Sequence, residues 1–253
     1  MAIASFALTD VGKARKANED NFIVDEELGL YVVADGMGGQ AAGDVASTLA
    51  VEKIIESIRE TAETADTWTM EYNRELSHGH NRLRVAMLAA NSAIQDEAAA
   101  DPTKNGMGTT AVCALARKAS LEIAHIGDSR AYHFRDGELK QLTDDHTLVD
   151  EQVRQGLITS EQARNHPMRN IITRALGAGE EIFTDHLDLS LEKGDIILLC
   201  TDGLTGMVDD NIISETISIG EGDLESTGAS LVRLANDNGG RDNITVILLR
   251  YDG

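Results

Sequence analysis

The stretch LYVVADGMGG, residues 30–39, joins a short apolar run to an aspartate that stands among glycines. A run of this length and composition predicts a buried β-strand, and Asp-Gly directly after it predicts that the chain turns there. Other short apolar runs rich in β-formers lie at 109–116 (TTAVCALA), 121–126 (LEIAHI), 195–200 (DIILLC) and 244–249 (ITVILL). Asp136-Gly137, between HFR and ELKQL, predicts a tight hairpin. The chain is therefore rich in strands, and some of them are expected to form an antiparallel meander.

Helical periodicity is found in two segments between these runs. Their apolar positions recur every three or four residues: Val51, Ile54, Ile55 and Ile58 in the first, and Leu83, Met87, Ala90, Ile94 and Ala98 in the second. A helical insert is predicted at about 146–166 and another helix near 224–236. Hairpins with helices collected in pairs favour the α+β class. We expect two packed antiparallel sheets with helices outside them.

Composition bounds the domain organisation and the kind of partner. The 253 residues include two prolines and no linker-like tract, so we expect one domain over residues 1–253. With 43 acidic and 22 basic residues the net charge is −21, which argues against nucleic acid or an anionic membrane as the main partner.

Two further features bear on the compartment. No apolar run approaches the roughly 20 residues of a membrane span. Cys113 and Cys200 lie in apolar runs and form no CxxC pair, which is typical of buried free thiols in a reducing compartment. The sequence is therefore expected to belong to a cytoplasmic protein.

Four aspartates stand at strand ends. Asp35, Asp128 and Asp202 each follow an apolar run, and Asp242 precedes the last one. Because the end of one antiparallel strand lies beside the start of its neighbour, these four carboxylates are able to meet at one rim of the fold. Converging carboxylates resist ionisation unless cations compensate them, and oxygen ligands select hard ions such as Mg²⁺ or Mn²⁺. Each Asp-Gly alone is more often an ordinary turn, so the interpretation depends on the four together.

The segment 12–20, GKARKANED, precedes the strand NFIV. Most stretches of this kind are solvated charged loops. In a strongly acidic site, however, Arg15 would offer the planar fork that holds a phosphate, and Glu19 and Asp20 would bind waters carried by the metal ions.

These residues together resemble the metal-dependent protein phosphatases, the type 2C family, in its bacterial serine/threonine phosphatase branch. The matching segments occur in the family's order: ARKANED (14–20), VVADGMGG (32–39), GMGTTA (106–111), IGDSRAY (126–132), ITRALG (172–177), LLCTDGL (198–204) and GGRDNITV (239–246). The resemblance covers nearly the whole chain.

The resemblance implies a four-layer αββα sandwich, with two central antiparallel sheets flanked by pairs of helices. It implies two tightly bound Mn²⁺ or Mg²⁺ ions, bridged by Asp35, with the Gly36 carbonyl on one ion and Asp202 and Asp242 completing the other site. Asp128, with Asp202, is similar to the pair that holds a weaker third ion. Arg15 matches the phosphate-binding arginine, and Asn243 joins Glu19 and Asp20 as a supporting residue. A water or hydroxide between the ions would attack phosphorus directly.

One departure concerns the proton donor. Many eukaryotic members have a histidine after the Asp-Gly, whereas this chain has Met37, so a metal-bound water is the hypothesis for protonating the leaving oxygen. The stretch 144–168 resembles the flap beside the site in bacterial members and is expected to lend a carboxylate to the third ion, from a residue that the sequence does not identify.

The function implied is hydrolysis of phosphoserine and phosphothreonine in proteins, opposing a serine/threonine kinase, by a monomer. Two alternatives stay open from the residues alone: a metallohydrolase of small phosphate esters, and a binding or regulatory module with a phosphatase fold. The second predicts a broken ligand set, whereas Asp35, Asp128, Asp202 and Asp242 are all present.

Overall fold

Two antiparallel sheets form the centre of the protein, seen in a computed structural model that describes residues 3–38, 42–63, 72–164 and 166–253. Elements are numbered in chain order. The first sheet has the strand order β1 (Ile3–Asp10), β11 (Ile244–Tyr251), β10 (Ile196–Cys200), β7 (Arg130–Arg135) and β8 (Glu138–Gln141). The second has the order β2 (Asp20–Asp25), β3 (Leu30–Met37), β5 (Ala111–Arg117), β6 (Ser120–Ile126) and β9 (Asp185–Ser190), with β4 (Gly108–Thr109) paired to the end of β3.

The central strands are apolar on both faces because each sheet is covered twice. In β3, Tyr31 and Val33 pack between the sheets, whereas Leu30, Val32 and Ala34 pack under helices. Successive side chains of a strand point to opposite faces, so a strand covered on both sides needs a continuous apolar run. This accounts for the LYVVA pattern.

A pair of long helices covers the second sheet. They are α1 (Ala42–Glu63) and α2 (His78–Ala100), and their buried faces include the periodic residues Ile54, Ile58, Leu83, Met87 and Ile94. The first sheet is covered by α6 (Asp210–Ile219) and α7 (Leu224–Asp237), which follow the single turn α5 (Asp202–Thr205). Two sheets between helical layers are the α+β fold that the sequence predicted, so that prediction is confirmed.

The insert that separates β8 from β9 along the chain is also helical, as expected. It contains α3 (Leu148–Arg154) and α4 (Ser160–Arg164), and it is tied back to the chain by a bridge between Thr147 and Ile172. Of the flap predicted at 144–168, Asn165 lies outside the described residues, as does Gly39 of the motif at 32–39. None of the helices in the described part of the chain has the length and apolarity needed to cross a bilayer.

The predicted hairpin is confirmed between β7 and β8. Asp136 and Gly137 both have positive φ, 53° and 83°, the backbone that a two-residue turn of type I′ requires. The sequence analysis did not single out β1, β9 or α6. In β1 every residue is half-buried, and β9 alternates between exposed and half-buried residues, so neither outer strand shows a continuous apolar run.

Candidate active site

Five aspartates from both sheets converge near one rim of the sandwich. Asp20 and Asp35 are register partners on β2 and β3, Asp128 follows β6, Asp202 opens α5 and Asp242 precedes β11. We call these five residues the carboxylate cluster. Burial raises the pKa of Asp35 well above its ordinary value, and the charges of the other four, Asp20, Asp202, Asp128 and Asp242, raise it further. The structure thus brings together the four predicted aspartates, and Asp20 with them.

Close backbone contacts hold these residues in place. The Gly36 amide donates to the carbonyl of Glu19 at 3.1 Å, and a Cβ at Gly36 would lie 2.0 Å from the carbonyl oxygen of Gly43. A Cβ at Gly203 would lie 1.8 Å from the carbonyl oxygen of Asn243. Only glycine fits at these two positions, because any side chain would push apart the segments that carry Asp35, Asp202 and Asp242.

Buried hydroxyls fix Asp20 between the two sheets. Its Oδ2 accepts hydrogen bonds from Thr201 Oγ1 at 2.9 Å and from Thr245 Oγ1 at 2.7 Å. Both threonines are buried in the first sheet, Thr201 directly after β10 and Thr245 near the start of β11. Its Oδ1 is buried and has no hydrogen-bond partner. Half of this carboxylate is therefore held rigidly, and the other half has an unused acceptor.

A second pair of hydroxyls positions Asp35. The Asp35 amide donates to Thr110 Oγ1 at 3.0 Å, and Thr110 Oγ1 in turn lies 2.7 Å from Ser129 Oγ. Thr109 Oγ1 donates to the Asp35 carbonyl at 2.8 Å. These bonds connect the end of β3 to the loop that carries Asp128.

His146 orients that loop from inside the protein. Its Nδ1 accepts the amide proton of Gly127 at 3.0 Å, while its own amide donates to the Gly127 carbonyl at 3.0 Å. Since Nδ1 is the acceptor, the ring proton is on Nε2, which lies 3.1 Å from Asp185 Oδ2. His146 is fully buried and stacks on His125, with ring centroids 4.7 Å apart. The backbone before Asp128 is therefore fixed by a neutral histidine.

The electrostatics of the carboxylate cluster fit a cation site. Burial raises the pKa of Asp20 to about 7 against the effect of its two threonine hydrogen bonds, and burial and the charge of Asp202 raise the pKa of Asp128 to about 7. Asp128 Oδ1, like Asp20 Oδ1, is buried without a partner. Oxygen atoms that are crowded, negatively charged and unpartnered are what hard divalent cations stabilise.

The N-terminal loop supplies the basic group at the edge of this cluster. Arg15 donates to Asp242 Oδ2 at 2.7 Å and lies 3.9 Å from Glu19, with its side chain about half exposed. Asn243 holds the loop: its Oδ1 accepts the Glu19 amide proton at 2.8 Å, and its Nδ2 donates to the carbonyls of Val11 and Ala17. Arg15 is thus beside the carboxylates and still accessible to a ligand.

Sequence reasoning missed the hydroxyls and the histidine. Thr110, Ser129, Thr201, Thr245 and His146 are all buried, and the sequence analysis names none of them as part of the site. A usable signal was present, since Ser129 and Thr201 are direct neighbours of Asp128 and Asp202 in sequence. The partners of Thr245 and His146 are distant along the chain and leave no local pattern.

Known proteins resemble this chain over nearly its full length. The family model described as protein phosphatase 2C matches residues 13–248. A serine/threonine phosphatase, stp, of Listeria monocytogenes is 38% identical over 252 residues, covering 96% of this chain and 94% of its own. The protein phosphatase PhpP of Streptococcus pneumoniae is 37% identical over 250 residues, covering 96% and 95%.

A solved structure carries metal in the same fold. The catalytic domain of the serine/threonine phosphatase PstP, in complex with two manganese ions, superposes with a TM-score of 0.84 at 35% identity, over 99% of both chains. The fold of this chain is therefore one in which a similar serine/threonine phosphatase binds two manganese ions.

Replacing Asp128 by asparagine is expected to stabilise the metal-free protein at pH 8 by about 1–4 kcal/mol, because each unit of pKa shift corresponds to roughly 1.4 kcal/mol. The folded-state pKa of Asp128 is about 7, above the ordinary value of 3.8. Between these values the folded chain keeps a proton that the unfolded chain has lost, so stability falls as the pH rises. Asparagine does not titrate, so the variant does not lose stability in this way as the pH rises. The difference in stability between the variant and wild type should vanish near pH 4.

Urea unfolding in EDTA from pH 4 to pH 8 measures this difference. Glu138→Gln, an exposed carboxylate on β8, is the control and should leave the pH profile unchanged. An Asp128→Asn protein less stable than wild type at pH 8 contradicts the prediction.

Proposed function

Because this chain belongs to the protein phosphatase 2C family and is a metal-dependent serine/threonine protein phosphatase, we propose that the carboxylate cluster is its active site. In this proposal Asp35 would serve both of two divalent cations, the Gly36 carbonyl would help to hold one of them, and Asp202 and Asp242 would hold the other. The observation that carries the proposal is the position of Asp35. It is buried, and the negative charges of four further carboxylates from both sheets raise its pKa. Bound cations remove the repulsion that this arrangement otherwise creates.

When bound, such cations supply an activated water and neutralise the charge of the phosphoryl oxygens. The protein's own residues do the positioning. Asp20, held by Thr201 and Thr245 through one oxygen, has its other oxygen buried and without a hydrogen-bond partner, and Glu19 lies beside Arg15. Both are proposed to bind waters around the ions, while Asn243 fixes the loop that carries Glu19.

Arg15 is proposed to bind the substrate phosphate. Its guanidinium can form two parallel hydrogen bonds with phosphoryl oxygens, which would replace the exposed bond with Asp242. Met37 ends β3, paired with Gly108, and its thioether has no proton to give to the leaving oxygen. The chain thus provides a phosphate clamp but no acid at that position.

A third, weaker ion is proposed at Asp128 and Asp202. The unpartnered Asp128 Oδ1 and the charge of Asp202 on Asp128 support it. The flap at 144–168 begins with Asp144, Asp145 and His146, the last of which holds the Asp128 loop. We propose that this flap meets the protein substrate as part of one catalytic domain over residues 1–253.

Phosphoproteins are the substrates of a protein phosphatase. The opposing kinase, the compartment and the oligomeric state are part of the proposal. The enzyme would oppose a serine/threonine kinase in the cytoplasm and act as a monomer. Manganese is the favoured ion because the similar PstP structure holds two manganese ions, although Mg²⁺ accepts the same oxygen ligands.

Hydrolysis of an aryl phosphate and of a phosphothreonine peptide tests the site directly. Activity should require added Mn²⁺, and Asp35→Asn should lower kcat by at least about a thousandfold, since removing the shared ligand affects both ions. Asp136→Asn, in the exposed hairpin turn, is the control and should retain wild-type activity. Full activity of Asp35→Asn would exclude the cluster as the active site, and hydrolysis of the aryl ester alone would favour small phosphate esters.

Arg15 substitutions separate phosphate binding from metal binding. Arg15→Ala should lower kcat/KM for the aryl phosphate by about 10- to 100-fold, the value of a lost charged hydrogen bond, and Arg15→Lys should recover only part of it. The Mn²⁺ concentration for half-maximal activity should stay within about threefold of wild type. The control is Lys16→Ala, at the exposed neighbouring position. An unchanged kcat/KM in Arg15→Ala would contradict this role.

A further inference from the structure

A second group of ionisable side chains lies where the edge of the second sheet meets the start of α2. Glu122 on β6 and Asp188 on β9 are register partners, so their carboxylates stand side by side on one face of the sheet. Like charges directly opposite each other across two strands are destabilising. His80 of α2 lies over the pair, and its Nε2 is 3.7 Å from Asp188 Oδ1 and 3.1 Å from the Leu187 carbonyl oxygen. His80, Glu122 and Asp188 each offer a ligand atom, and these atoms lie within 4.8 Å of one another.

Glu122 is the least expected member of this group. The residue is 8% exposed, and its Oε1 accepts a hydrogen bond from Ser77 Oγ at 2.6 Å. Its Oε2 is buried and has no hydrogen-bond partner. A Cβ at Gly79 would lie 1.5 Å from this same Oε2, so glycine at that position leaves the space that the carboxylate occupies. A buried, oriented carboxylate with one unused oxygen normally marks a missing partner.

The nearby arginine does not supply that partner. Arg82 donates from its Nη2 to the Ile58 carbonyl at 2.6 Å and from its Nε to Thr61 Oγ1 at 3.1 Å. Its charge acts on Glu122 only from a distance. A cation bound between the two carboxylates and the imidazole would compensate their charge and give Glu122 Oε2 a partner.

One other histidine group among the described residues, His125, His146 and Asp185, also has ligand atoms within 4.8 Å. It is a poor metal site because His146 Nδ1 already accepts the Gly127 amide proton. Ligating through Nε2 as well would require an imidazole without any proton. In His80, Nε2 donates to the Leu187 carbonyl when no ion is bound, and moving the ring proton to Nδ1 frees Nε2 to ligate at the loss of that one hydrogen bond.

We propose that His80 Nε2, Glu122 Oε2 and Asp188 Oδ1 bind a divalent transition-metal ion of the Zn²⁺ class, apart from the carboxylate cluster. One imidazole with two carboxylates suits zinc better than Mg²⁺, which prefers oxygen alone. Ligand atoms around a tetrahedral Zn²⁺ are about 3.4 Å apart, so the present separations close with small side-chain rotations. Asp188, 69% exposed at its side chain, gives the ion a path from solvent.

The proposed zinc site lies apart from the carboxylate cluster, and its role would be structural. Glu122 lies four residues, about 13 Å, before the end of β6 from which Asp128 follows. An ion here would fasten the first turn of α2 to the strands β6 and β9. Ser77, which caps α2 and also holds Glu122, belongs to the same attachment.

Zinc binding by the full chain tests the proposal. The background variant Asp35→Asn/Asp202→Asn/Asp242→Asn removes the ligands of the proposed active site, and dialysis against buffered Zn²⁺ followed by elemental analysis counts the ions per chain. We expect one Zn²⁺ in this background. His80→Gln and Asp188→Asn should each weaken it more than about tenfold, whereas the controls His166→Gln and Asp136→Asn should not.

A second measurement does not depend on the folding of the background variant. In the chain with its natural aspartates, Asp188→Asn should bind one Zn²⁺ fewer than wild type, and Zn²⁺ should raise the unfolding temperature of wild type more than that of Asp188→Asn. The proposal is overturned if the background variant binds less than half a zinc per chain, or if His80→Gln and Asp188→Asn bind zinc as wild type does.

Discussion

Asp20 and Asp35 face each other across β2 and β3. Three more carboxylates reach the same place, Asp202 and Asp242 from the first sheet and Asp128 from the loop that joins β6 to β7. This crowding is the constraint to which the rest of the site is fitted. Bringing the charges together costs folding free energy, which the three apolar clusters around and between the sheets must offset. It also leaves buried oxygen atoms with unused acceptor capacity, as at Asp20 Oδ1 and Asp128 Oδ1. The same repulsion that opposes folding without metal therefore provides the affinity for it.

A site of this kind works only if the ligands cannot move apart, and the fold meets that requirement by linking its two sheets at the rim. Thr201 and Thr245 lie at the ends of the central strands β10 and β11 of the first sheet and hold Asp20 of the second. The close backbone contacts at Gly36 and Gly203 allow the segments to meet without a side chain between them. In the proposed site, rigid strands carry the aspartates, and the more exposed Arg15 and the flap would meet the substrate. Stability and accessibility are thus assigned to different parts of the molecule.

The sequence predicted what is encoded locally. LYVVA has to be a strand with both faces covered, and each motif aspartate comes at a fixed place relative to such a run, so the four-layer fold and the four aspartates could be inferred. The bonds that orient them could not. Thr245 is 225 residues from Asp20, and His146 reaches Gly127 from the start of the flap, so neither leaves a periodic pattern. The outer strands β1 and β9 escaped notice because their residues are only half-buried or exposed, so neither strand forms a continuous apolar run.

The second sheet contains two pairs of acidic residues that face each other on neighbouring strands. Asp20 with Asp35, and Glu122 with Asp188, are both pairs of like charge in register on neighbouring strands. In each pair one buried carboxylate has an oxygen held by hydroxyl groups, Thr201 and Thr245 in the first and Ser77 in the second, and its other oxygen is unpartnered. A like-charge pair on adjacent strands is a net cost unless a cation is shared between its members. The two pairs differ in the side chains that lie beside them. These are further aspartates at the rim and the imidazole of His80 at the start of α2. By ligand chemistry the first pair suits hard ions, which would act on phosphate, and the second suits the proposed zinc ion, which would fasten a helix to a sheet edge.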